Sequence, residues 1–92
     1  MHPGQAFGLV LRELRKQREM SQETFAFECS LNRQFISLLE LGEQAPSIDT
    51  IYKVAAGFGM RGSELLSLVE VKMQALTRQP LRRTARIRRR AE

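Results

Sequence analysis

The 92-residue sequence contains one cysteine, one histidine, one tyrosine and no tryptophan. A lone thiol, Cys29, cannot form an intrachain disulfide, which fits a reducing compartment. One histidine (His2, beside the chain start) and one cysteine cannot supply a zinc-ligand set within one chain. A Ser-His-Asp triad would have to recruit His2. Enzymatic chemistry is therefore excluded as a reading, and no cofactor or small-molecule ligand is indicated. Apolar runs are short, as in Leu9-Val10-Leu11, which argues against a transmembrane span. Phe7–Leu11 is too brief for a signal-peptide core, and Arg12-Glu13 follow it at once. The expected location is cytoplasmic. No strand pattern and no internal repeat is visible, and five phenylalanines leave a mostly aliphatic core.

The net charge of +5 is unevenly distributed. Residues 1–39 sum to +1, residues 40–77 to −2, and residues 78–92 to +6. The part that can fold is nearly neutral, so total charge alone does not identify a polyanion partner. That inference has to come from the residue pattern.

The pattern is helical throughout, and an all-α fold with five helices is expected. Phe7, Val10, Leu11 and Leu14 share one face of a helix from about Gln5 to Arg18. Ser21 can cap a second, short helix with Glu23 in its first turn, burying Phe25, Ala26 and Cys29. After a break at Ser30-Leu31, Asn32 can cap a third helix from Arg33 to about Leu41, with Ile36, Leu39 and Glu40 inward. Gly42 ends it. Ser47 can cap a fourth helix with an apolar stripe of Ile48, Ile51, Val54, Ala55 and Phe58, stopped by Gly59. A fifth starts near Gly62 and runs to Thr77, with an apolar set wider than one buried face needs. Pro80 blocks its continuation. The domain is thus expected over residues 1–77, with 78–92 an Arg-rich, disordered tail.

Helices two and three, short and joined by a tight turn, have a helix-turn-helix layout. Asn32, Arg33, Gln34 and Ser37 lie on the outward, N-terminal side of helix three. Arg can grip guanine O6 and N7, and Asn or Gln can grip adenine N6 and N7, each with two hydrogen bonds. Leu38 also faces outward and can meet a thymine methyl or a partner pocket. Gln22 sits at a helix start, where an amide donor and free backbone N–H groups suit a phosphate. A plain solvated surface is the alternative for each of these residues.

The run Phe7-Gly8, Leu11-Arg12-Glu13-Leu14-Arg15, Met20-Ser21-Gln22-Glu23, Ala26, Ile36-Ser37-Leu38-Leu39-Glu40-Leu41-Gly42, Pro46-Ser47, Ile51 and Val54-Ala55 resembles the Cro and phage-repressor (XRE-type) family. Leu31–Ser37 is most similar to the restriction–modification controller proteins within it. The resemblance covers about residues 5–69. It implies a compact, lambda-repressor-like, five-helix domain whose second and third helices form the DNA-reading unit. It also implies a homodimer acting as a transcriptional regulator on a near-palindromic operator in double-stranded DNA. Ser21, Gln22, Gln44 and Ser47 are expected at phosphates, joined by Arg82 and Arg83 of the tail. The family pairs charges at the positions of Arg15 and Glu40, an ion pair that fixes the reading helix. Glu19 and Ser30 stand where the family often has glycine, at positions that tend to need positive φ. Leu68, Val69, Met73 and Leu76 are expected at the dimer contact. The rival reading is a protein–protein module, an antitoxin or adaptor on the same fold, which helix five's apolar stripe, Leu38 and Leu41 would favour. RNA binding through the tail is a third choice, weakened by the lack of accompanying aromatics.

Overall fold

A computed structural model describes residues 2–77, and they form five α-helices with no strand. The Arg-rich segment 78–92, including Arg82 and Arg83, lies outside the described residues. The helices are α1 (Pro3–Gln17), α2 (Gln22–Glu28), α3 (Arg33–Glu40), α4 (Ile48–Gly57) and α5 (Gly62–Thr77). α1 begins two residues earlier than its apolar spacing indicates, with proline in its first turn, where a missing N–H costs nothing. The His2 N–H donates to Gln5 Oε1 at 3.1 Å, which secures this start.

Side chains cap three helices. Ser21 Oγ accepts from the Thr24 N–H at 3.0 Å, Asn32 Oδ1 from Phe35 at 2.7 Å and Ser47 Oγ from Thr50 at 3.1 Å. Each satisfies an N–H that has no partner inside its own helix. The two turns that flank α2 use left-handed residues, Glu19 at φ 56° and Ser30 at φ 61°. Such a conformation crowds Cβ against the following carbonyl. Cross-turn hydrogen bonds hold both places: Met20 N–H to Arg15 O at 3.0 Å, and Leu31 N–H to Ala26 O at 2.9 Å.

The core draws on all five helices. Phe7, Leu11, Phe25, Ile36, Leu39, Val54 and Leu65 are its largest fully buried side chains. Phe25 stacks on Phe58 with ring centroids 4.2 Å apart. Arg18 covers the outer side, its guanidinium 4.9 Å from the Phe58 ring centre and Nη1 donating to Phe58 O at 2.7 Å. Gly8 permits the close crossing of α1 and α3, because a Cβ there would lie 2.0 Å from the Leu39 carbonyl oxygen. That crossing fixes the height of α3 on the domain.

Two expectations about the apolar faces are corrected. Ile48 is 65% exposed instead of inward, because it occupies the first position of α4 and overhangs the preceding loop. Val69 is 5% exposed and belongs to the chain's own core, against which Met73 also packs. Val69 is therefore not a free dimer residue, whereas Leu68 and Leu76 are exposed. At 100° per residue, Leu66 and Leu68 point about 200° apart around α5, on opposite flanks of its buried stripe. The apolar set is wide because it serves the core and both flanks.

Candidate nucleic-acid interface

The outer face of α3 follows from which of its residues the core takes. Ile36, Leu39 and Glu40 are buried, so the opposite arc carries Arg33, Gln34, Ser37 and Leu38. Those four span about 140° of the helix. Arg33 and Gln34 are exposed, and Ser37 and Leu38 are half-buried. Asn32 is exposed but its Oδ1 is engaged by the Phe35 N–H, so its amide Nδ2 is the group left for a base. The result is a short rod with a cationic fork, two carboxamides and a hydroxyl at its N-terminal end.

Glu40 anchors the other end of that rod. Arg15 Nε donates to Glu40 Oε2 at 2.7 Å, and Arg15 Nη2 donates to Glu40 Oε1 at 3.0 Å. A planar guanidinium meeting both oxygens of a carboxylate fixes orientation as well as distance. The pair is nearly dry, with Arg15 8% and Glu40 7% exposed. Arg15 Nη1 also donates to Met20 O at 2.8 Å, so the same side chain ties down the turn into α2. The hydrogen bond to Glu40 holds the Arg15 guanidinium above its ordinary pKa, against the opposite pull of burial and helped by the carboxylate's charge. Among the described residues no buried side-chain polar atom lacks a partner.

Gln22 departs from a free first-turn residue. Its Nε2 donates to Glu40 Oε1 at 3.0 Å, so the side chain lies along the α2–α3 seam and is half-buried. Its position in α2 is readable from sequence, but a contact with a residue 18 positions on has no local signal. The Arg18 bond to Phe58 O escaped the sequence for the same reason.

The remaining candidates flank this rod. Ser21 and Ser47 are exposed, and both hydroxyls are engaged with a threonine three residues on, as caps and as donors to Oγ1. Gln44 is exposed, and its backbone N–H donates to Leu38 O at 3.3 Å. Glu43 N–H shares the same acceptor at 2.9 Å, which curls the loop after α3 onto its last turn. Burial pushes the Cys29 thiol pKa up, as suits an inert core position. Among the described residues no group of three or more His, Cys, Asp or Glu could hold a metal ion, and no helix is long and apolar enough to cross a membrane.

Known proteins share this arrangement. A helix-turn-helix family model matches residues 11–65, from within α1 to the start of α5. The control protein C.BamHI of Bacillus amyloliquefaciens is 38% identical over 66 residues, covering 71% of this chain and 82% of that protein. The control protein C.MunI of a Mycoplasma species is 40% identical over 65 residues, covering 70% and 88%. The crystal structure of the restriction–modification controller protein C.AhdI from Aeromonas hydrophila superposes with a TM-score of 0.64 at 37% identity, over 67% of this chain and 94% of that one. The clp gene regulator ClgR from Corynebacterium glutamicum superposes with a TM-score of 0.78 over 84% and 82%, at 19% identity, and shows a shared fold alone. The matched segment contains α2, the turn at Ser30 and α3 whole, and the chain belongs to the XRE-type helix-turn-helix family of DNA-binding transcriptional regulators.

Proposed function

We propose that the chain regulates transcription by occupying a near-palindromic operator as a homodimer, each copy laying α3 in the major groove. The observation that carries this is the exposed Arg33–Gln34 pair at the start of α3, a helix whose far end is braced by Arg15 and Glu40. Arg33 reads a guanine and Gln34 a neighbouring adenine, with Asn32 Nδ2, Ser37 and Leu38 as secondary contacts. Ser21, Gln44 and Ser47 stand beside α3 where the flanking DNA backbone runs. Arg82 and Arg83 add phosphate contacts that carry no base information. Regulation through a restriction–modification system is the biological setting that the relatives' names support.

The dimer contact falls on the α4–α5 flank. Ile48 and Tyr52 are one helical turn apart on α4 and are 65% and 61% exposed. Tyr52 lies against Gly62, where a Cβ would come 2.6 Å from its ring, and Leu66 follows one turn along α5. This apolar strip adjoins an open cleft of about 180 Å³ lined by Pro3, Phe7, Ala45, Pro46, Ile51 and Leu66. On the opposite flank, Glu13 and Lys72 form an ion pair across α1 and α5, which suits a solvated edge better. A two-fold axis through the strip sets two reading helices about 34 Å apart, one turn of DNA.

Selection of bound fragments from a pool of random duplexes tests the proposal. A recovered motif with two-fold symmetry is expected. A pool with no enriched motif would turn the reading toward a protein-binding module.

A further inference from the structure

Gln22, the first residue of α2, turns its carboxamide toward α3. Nε2 donates to Glu40 Oε1 at 3.0 Å, the same oxygen that accepts from Arg15 Nη2 at 3.0 Å, while Arg15 Nε takes Oε2 at 2.7 Å. Three donors from two helices, α1 and α2, therefore converge on one carboxylate of a third, α3. A guanidinium in contact with both oxygens already fixes the carboxylate in the plane of the fork. That pair alone does not oppose rotation of α3 about the line joining Arg15 to Glu40. Gln22 reaches Glu40 from α2, outside α1 altogether, and this third point of attachment off that line adds to the buried contacts of Ile36 and Leu39 in holding the tilt.

We infer that Gln22 is a positioning residue, setting the tilt of the reading helix through Glu40 instead of donating to a phosphate. The consequence for binding is specific. Base readout needs bidentate contacts held within a few tenths of an ångström at Arg33 and Gln34, whereas phosphate contacts tolerate rocking. Loss of the third attachment therefore degrades discrimination between sequences and leaves sequence-independent affinity almost intact. Charge cannot explain such an effect, because Gln22 is neutral and its tie lies inside the domain. This inference rests on the operator reading proposed above.

The test compares the full chain with Gln22→Met, which keeps the length of the side chain and removes the amide. Both proteins are titrated with the selected operator and with random duplex at several salt concentrations, beside a circular-dichroism melt that establishes folding. The expected result is a ratio of operator to random affinity reduced about three- to tenfold, the range of one ordinary hydrogen bond, with the salt slope unchanged. Gln22→Lys, which supplies a donor to Glu40, should restore the ratio even as its charge raises affinity for both duplexes. Equal weakening on both duplexes, with the ratio between them kept, would make Gln22 a phosphate ligand and overturn the inference. An unchanged ratio in a folded Gln22→Met protein would overturn it too. If Gln22→Met fails to fold, the Gln22→Lys ratio decides, since failure to match the unsubstituted chain contradicts positioning through a donor. An unsubstituted chain with no preference for any sequence would instead bring down the operator reading, and this inference with it.

Discussion

Arg15 and Glu40, 25 positions apart, meet as a two-point ion pair in a nearly dry seam between α1 and α3. Removing one partner strands the other charge away from water, and that penalty exceeds the worth of the pair itself. Arg15→Met or Glu40→Ala should each destabilise the fold by about 3–5 kcal/mol in urea unfolding. Arg15→Lys should recover only part of this, because an ammonium cannot meet both oxygens and cannot also reach Met20 O. The raised pKa of Arg15 gives its side of the pair a definite sign with pH: its contribution is complete below the ordinary arginine range and is lost only as pH rises through the still higher folded value. Stability measured between pH 7 and pH 10 should therefore show no loss from Arg15. Full recovery by lysine would mean that charge alone, not the fork, holds α3.

Glu19 and Ser30 sit at φ 56° and 61°, on either side of α2. Glycine relieves the crowding of Cβ in this region but adds freedom to the unfolded chain. The net effect of Glu19→Gly or Ser30→Gly should be a gain of a few tenths to about 1 kcal/mol, seen as a higher melting temperature. A lower melting temperature for both would show that these turns are held by contacts the glycines lose.

These turns also show how much the sequence exposes. Local chemistry was legible: the three caps at Ser21, Asn32 and Ser47, the stops at Gly42 and Gly59, and the inward faces of α1 and α3 follow from rules that act within a few residues. The left-handed geometry of Glu19 and Ser30 came from comparison with a family pattern, since nothing in a glutamate or a serine announces it. What stayed hidden depends on how helices cross. Ile48 fits the apolar spacing of α4, yet its end of the helix passes beyond the core. Val69 reads as surplus until α1 and α4 are seen to close over it. Phe27, 83% exposed on α2, carries no local signal that separates it from buried Phe25 except its position about 200° away around the helix. Within the interface, the outward arc of α3 was legible from periodicity, whereas the bond from Gln22 to Glu40 needed the angle between α2 and α3.

The two flanks of α5 give opposite expectations for association. Tyr52→Glu or Leu66→Glu places a charge in the proposed two-fold contact, where burying it unpaired is costly. Either should convert a dimer to a monomer in sedimentation at micromolar concentration. Val71→Glu, on the flank beside the Glu13–Lys72 pair, should leave the dimer intact. The reverse pattern would move the two-fold axis to the α1 side of α5.

Base readout by α3 is the central claim, and the preference of Arg33→Ala and Gln34→Ala proteins for single base-pair variants of the selected operator tests it most directly. Each substitution should cost about 1–3 kcal/mol on the best operator and relax the preference at one base pair in each half-site, with different pairs for the two residues. Neither residue is buried, so both proteins should melt close to the unsubstituted chain. Uniform weakening on every duplex, with no position relaxed, would place Arg33 and Gln34 on the DNA backbone and contradict the account.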